Sequence, residues 1–160
     1  MINDKVINIA IFASGTGSNA QKIIDRFRYS ERIRVALIVC NNPAAGVLKI
    51  AAIENIPVVL LEKATFQKTG YISELKEYSI DFVILAGFLW KIPPVLISAF
   101  PDKIINIHPA LLLSPPVADR EAAFDWYGRR FAMVETEPCS VQSALSAIAA
   151  STRAARRAGT

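Results

Sequence analysis

Residues of the kinds that build special sites or covalent frameworks are scarce in this sequence. Among 160 residues there are two cysteines, Cys40 and Cys139, and one histidine, His108. Two thiols exclude a disulfide scaffold, and so small a set argues against a zinc site of the usual Cys/His kind, so no metal is expected. Long hydrophobic runs are also missing. Stretches such as Val83–Ala86 and Leu111–Leu113 fall far below the roughly 20 residues a membrane-crossing helix needs. Met1–Lys5 is polar and carries no signal-peptide pattern, which leads to the expectation of a cytoplasmic protein with no membrane partner.

Charge is sparse and spread out. Charged residues make up 20% of the chain and the net charge is +4, divided as +3 over residues 1–113 and +1 over residues 114–160. The clusters at Arg26–Arg34 and Arg153–Arg157 are not interleaved with the aromatic and glycine pattern of an RNA-binding sheet, so no nucleic-acid partner is expected. A mildly basic surface suits small anionic substrates. What the chain has in quantity is apolar: 52% hydrophobic residues and a mean hydropathy of +0.34, ample for a packed core.

That apolar material changes character along the chain. Residues 1–113 hold nineteen Ile, seven Asn and all eight Lys, whereas residues 114–160 hold one Ile, no Asn, no Lys and eleven Ala. The switch marks Leu113/Ser114 as a boundary, to a different domain, a disordered tail or a break in the reading of the gene. The expected organisation is an α/β domain at 1–113 followed by an Ala/Arg-rich segment at 114–160. With weak periodicity and little apolar face, that segment is expected to pack poorly. Helix-permissive stretches at Asp119–Phe131 and Ser140–Ala158 are its clearest patterns.

Before the boundary, strand and helix patterns alternate. Val6–Ser14 is an apolar, β-branched strand ending in the turn Gly15-Thr16-Gly17, after which Ser18 reads as an N-cap and Ile23, Ile24 and Phe27 recur at helical spacing. Further strands are predicted at Arg34–Asn41, Pro57–Leu61, Asp81–Gly87 and Lys103–His108, and helices at Ala44–Glu54, Phe66–Tyr78 and Pro93–Phe100. Near-continuous apolar strands between helices imply a parallel sheet buried on both faces, a Rossmann-like doubly wound architecture.

Ligands of such sheets bind at the carboxyl ends of the strands, where three segments stand out. Ser14-Gly15-Thr16-Gly17-Ser18-Asn19 follows the first strand. It reads equally as a helix-start cradle for an anion or as a tight turn, and it is neither a Walker loop nor G-x-G-x-x-G. Ala86-Gly87-Phe88-Leu89-Trp90-Lys91-Ile92 follows the fourth strand and reads as a pocket wall or, more simply, as a loop packed over the core. Asn106-Ile107-His108-Pro109 ends the fifth, where period-two alternation puts Asn106 and His108 on one face. An amide beside an imidazole can stabilise an oxyanion and move a proton, as acyl transfer requires, although a lone histidine is commonly a buried one satisfied by backbone.

Taken together, Gly17-Ser18-Asn19, Leu85-Ala86-Gly87-Phe88 and Asn106-Ile107-His108-Pro109-Ala110-Leu111-Leu112 resemble the phosphoribosylglycinamide formyltransferases, folate-dependent enzymes of purine synthesis, over residues 6–112. The resemblance implies that Gly17, Ser18 and Asn19 contact the ribose phosphate of phosphoribosylglycinamide, with Pro109 bordering the glycinamide. It implies that Leu89, Trp90, Lys91 and Ile92 line the pterin pocket of the co-substrate 10-formyltetrahydrofolate. Asn106 would hydrogen-bond the formyl oxygen, and His108 would be the proton donor and oxyanion stabiliser. The family pattern then continues with a proline, a Gly-rich loop and an Asp-x-Gly aspartate that raises the histidine's pKa. Here Leu113-Ser114-Pro115-Pro116 follows, and neither Asp119 nor Asp125 has the matching glycine context. The alternatives are a formyltetrahydrofolate hydrolase, a formyltransferase acting on charged initiator tRNA, or a catalytically inactive fragment that binds phosphorylated small molecules.

Overall fold

Side chains alternate across a strand, so a strand that is apolar throughout must be covered on both sides. The computed structural model describes residues 5–107 and shows this for each long strand. In β1 (Ile7–Ala13), Ile9, Ile11 and Ala13 enter one core cluster while Ala10 and Phe12 enter another. β2 (Ile33–Cys40) divides in the same way, Ile38 and Cys40 against Leu37 and Val39, and β4 (Phe82–Ala86) gives Ile84 and Ala86 against Val83 and Leu85. β3 (Val58–Leu60) and β5 (Ile104–Ile107) complete the sheet, whose order is β3-β2-β1-β4-β5 with every pairing parallel.

Helices close both faces. α1 (Ser18–Phe27) and α2 (Val47–Ile53) supply Ala20, Ile23, Ile24, Val47 and Ala51 to the first cluster. α3 (Lys63–Phe66), α4 (Gly70–Glu77) and α5 (Pro94–Ala99) supply Phe66, Tyr71, Ile72, Leu75, Leu96 and Ile97 to the second. The layering is the doubly wound one that the alternating pattern predicts. Ile9, Ile11, Ile38 and Ile84 are wholly buried, and each such side chain removed from water stabilises the fold by about 1.5–3 kcal/mol.

Three local expectations are corrected. The helix predicted over Phe66–Tyr78 is two helices: α3 ends at Phe66, and α4 begins at Gly70, with Thr69 as its N-cap. Glycine is a poor helix interior residue, and the break lets Phe66 and Tyr71 both turn inward with ring centroids 5.3 Å apart. The helix predicted from Ala44 starts at Val47, because the Asn42 side chain accepts the Ala44 N–H at 3.0 Å and holds a turn there first. Ser18 is the first helical residue, and the N-cap is Gly17.

At the amino end of the sheet, Asn8 ties β1 to β2 and to the turn ahead of β4. Its N–H donates to Asp81 Oδ2 (3.0 Å), its Nδ2 donates to the Ser79 carbonyl (3.2 Å), and its Oδ1 accepts from Arg34 Nε (3.1 Å). Lys5 Nζ pairs with the other Asp81 oxygen at 2.6 Å. No helix among the described residues is long and apolar enough to cross a membrane. The segment at 114–160 and its helix-permissive stretches lie outside the described residues.

Candidate functional site

The chain runs outward from β1 to β2 and β3, then returns to lay β4 on the other side of β1. Connections leaving β1 and β4 thus part to opposite faces, and a crevice opens between their carboxyl ends, the place where such sheets bind ligands. The glycine-rich segment and the segment after β4 meet there. The Ser14 N–H donates to the Gly87 carbonyl at 3.2 Å, and the Leu89 N–H donates to Ser14 Oγ at 2.9 Å.

On the β1 side, the loop is held in place by α2 and the turn before it. The Val47 N–H donates to the Gly15 carbonyl (3.2 Å), and Asn42 Nδ2 donates to the Ser14 carbonyl (3.4 Å). Gly17 is buried at φ +85°, and a Cβ there would stand 2.8 Å from Ile50 Cδ1 and 2.9 Å from Val47. Gly46 answers it from α2, with a Cβ position 2.9 Å from the Thr16 carbonyl oxygen. These glycines let α1 and α2 approach each other closely. Gly15 has open space about it, Ser18 is exposed and Asn19 is half-buried. No side chain caps α1 and no acid occupies its first turn, so its leading N–H groups and the helix dipole favour an anion.

On the β4 side, the segment after the strand alternates outward and inward. Leu89 is 81% exposed and Lys91 is exposed, whereas Ile92 is 2% exposed and belongs to the core. Trp90 is half-buried among aromatic rings, 5.5 Å from Phe66 and 6.3 Å from Phe88, and Phe88 in turn meets Phe12 edge-on at 5.4 Å. Tyr71 flanks this cluster, and burial pushes its hydroxyl pKa up. The Tyr71 hydroxyl and Asn41 Oδ1, at the end of β2, are buried with no hydrogen-bond partner among the described residues.

Asn106 lies on β5 in register with Leu85 and is half-buried. Its neighbours Ile105 and Ile107 belong to the α1–α2 side of the core, and Ile104 belongs to the other, so alternation puts Asn106 on the α4–α5 side. Two strand spacings separate β5 from β1, about 10 Å. His108 and Pro109 lie outside the described residues, as do Asp119 and Asp125. The structure therefore places the segments that lead to Gly17–Asn19 and to Leu89–Ile92 side by side through Ser14, with Asn106 on the strand beyond β4. Ser14, Asn42 and Gly87 hold these segments together; Ser14 and Gly87 lie within the segments that stand out in the sequence but have no role assigned there, and Asn42 lies outside them. Among the described residues, no three His, Cys, Asp or Glu side chains are grouped to hold a metal.

Comparison with known proteins bears on the same stretch. Residues 7–115 match the family model described as formyl transferase. The chain is 40% identical over 111 residues to the chloroplastic phosphoribosylglycinamide formyltransferase of Arabidopsis thaliana, covering 65% of this chain and 38% of that protein. It is 37% identical over 117 residues to the phosphoribosylglycinamide formyltransferase of Bacillus subtilis, covering 69% and 60%. The chain thus spans less than two thirds of the length of either relative. Among solved structures, glycinamide ribonucleotide transformylase 1 of Geobacillus kaustophilus superposes with a TM-score of 0.63 at 36% identity, covering 76% of this chain and 69% of that one.

Proposed function

The chain belongs to the formyl transferase family, and on that premise we propose that it serves the transfer of a formyl group from 10-formyltetrahydrofolate to the amine of phosphoribosylglycinamide, a step of purine synthesis. One observation carries the reading: the uncapped start of α1, with exposed Ser18 and half-buried Asn19, borders a crevice whose other wall is the segment after β4. A phosphate suits the first wall, because free N–H groups and the helix dipole favour negative charge. A flat apolar ring suits the second, where Leu89 stands exposed beside Trp90.

In this reading Gly17, Ser18 and Asn19 hold the ribose phosphate, and Leu89, Trp90, Lys91 and Ile92 form the folate side, with Leu89 and Lys91 outermost. The substrate amine attacks the formyl carbon and its carbonyl oxygen becomes an oxyanion, to which the Asn106 amide donates. The carbon–nitrogen bond to the folate then breaks. The proton given up by the attacking amine replaces the formyl group on the departing folate nitrogen, with His108 as the carrier and Pro109 bordering the glycinamide. Neither a metal nor a covalent enzyme intermediate has a part in this scheme.

The test is calorimetry with phosphoribosylglycinamide, followed by a folate absorbance assay on the same chain. Weak binding with negligible transfer is expected, because the family aspartate that charges the histidine has no counterpart in residues 114–160. Failure of a folded chain to bind the ribonucleotide would overturn the reading.

A further inference from the structure

We propose that Ser14 is a positioning residue that holds the segment after β4 against the glycine-rich loop, so that occupation of the phosphate side sets the placement of the formyl-donor side. The proposal rests on the ribonucleotide reading above. Ser14 makes three contacts in three directions: its N–H to the Gly87 carbonyl (3.2 Å), its Oγ from the Leu89 N–H (2.9 Å), and its carbonyl from Asn42 Nδ2 (3.4 Å). It is one of two buried polar residues among those described, at 5% exposure, so its hydroxyl bond is shielded from competing water.

The next residues in the chain are the proposed phosphate loop, whose Gly15 carbonyl is fixed by Val47. The residues it grips are those that present Leu89 and Lys91 outward. A displacement of the loop by a bound phosphate that is carried along the chain reaches Ser14 first, and Ser14 bonds the segment after β4 directly. A backbone bond alone would fix Gly87, but only the hydroxyl fixes Leu89, two residues further into the wall.

The experiment uses the full chain labelled with ¹⁵N and follows the amide signals of Ser18, Asn19 and Leu89 during titration with phosphoribosylglycinamide. In the unaltered protein all three should shift along one binding curve. In Ser14→Ala, and in Ser14→Cys, which keeps the shape but is a weak acceptor, Ser18 and Asn19 should still report a Kd within about threefold, while the Leu89 shift falls at least about fivefold. Ser14→Thr, which keeps the hydroxyl, should restore it.

A Leu89 shift that survives in both variants overturns the proposal, as does a loss of ribonucleotide affinity equal to the loss at Leu89, which would mark a purely structural serine. If Ser18 and Asn19 do not respond even in the unaltered protein, the ribonucleotide reading fails instead. Solvent exchange of the Leu89 amide then decides the tether: a rise of about tenfold in Ser14→Ala supports it, and an unchanged rate overturns it.

Discussion

Gly17 and Gly15 stand two residues apart in one loop and answer to different demands. Gly17 has a left-handed backbone and faces Val47 and Ile50 at distances no Cβ could share, whereas Gly15 has nothing within 4 Å of where a Cβ would go. Gly17→Ala combines a left-handed strain of about 1–2 kcal/mol with overpacking of about 1–3 kcal/mol. It should lower stability by about 2–5 kcal/mol, read as a lower urea midpoint at unchanged slope. Gly15→Ala should change stability by less than about 1 kcal/mol. If the ribonucleotide reading holds, with the phosphate on Gly17, Ser18 and Asn19, Gly17→Ala should weaken ribonucleotide binding more than Gly15→Ala does. A calorimetric titration beside each denaturation curve separates the two glycines. A sequence pattern of Gly-x-Gly cannot make this distinction, because it records that two glycines are needed and not which neighbour needs each one.

Between elements, α1 and α2 are joined at their ends by charge. Arg28 pairs with Glu54 at 2.6 Å and with Asp25 at 2.9 Å, and Gln21 Nε2 donates to both carboxylates. The Arg28 hydrogen bonds hold the Glu54 carboxyl below its ordinary 4.5 and the Asp25 carboxyl below its ordinary 3.8. Carboxylates depressed in the folded state stabilise it above their unfolded pKa, and that stabilisation is lost as pH falls through the folded value. The loss should therefore begin below about pH 4.5, and Glu54→Gln should flatten the acid limb of a stability-against-pH curve while leaving most of the stability at pH 7. Added salt should shrink the difference. Little of this is visible in sequence, where Arg28 and Glu54 are 26 positions apart. The strands are legible because burial on both faces leaves an unmistakable run such as Phe82–Ala86. The single helix expected over Phe66–Tyr78 began too early: Tyr71, Leu75 and Tyr78, whose spacing suggested it, all belong to α4 and its C-cap, while Phe66 ends a separate short helix. In the candidate site, the glycine loop and the β4 segment were legible as motifs. The inward turn of Ile92 and the grip of Ser14 were not, because loop backbones follow no period.

For the whole molecule, the proposed chemistry asks for more than residues 5–107 supply. An imidazole with an ordinary pKa of about 6.5 is mostly neutral at pH 7, and loss of a positioned acid costs about 10²–10⁴ in rate. Replacing everything after Leu112 with the corresponding segment of a family member should therefore raise formyl transfer by at least about 10², at nearly unchanged ribonucleotide affinity. Transfer by the unaltered chain at the rate of the grafted one would show that residues 114–160 already provide the acid. The central position of β1 also has a temporal side. It is made first, yet the contacts at its amino end join Asn8 to Asp81 across 73 residues. At about 5–20 residues per second of synthesis, β1 waits roughly 4–15 s for the strand that covers its second edge. In that interval it can pair with β2, while its other edge stands open to any passing strand. Closing so long a loop is also a slow step in refolding. The crevice between β1 and β4 thus comes into being only after β2 and β3 have been made, and a nascent chain stalled before residue 82 would carry the glycine loop without its opposite wall.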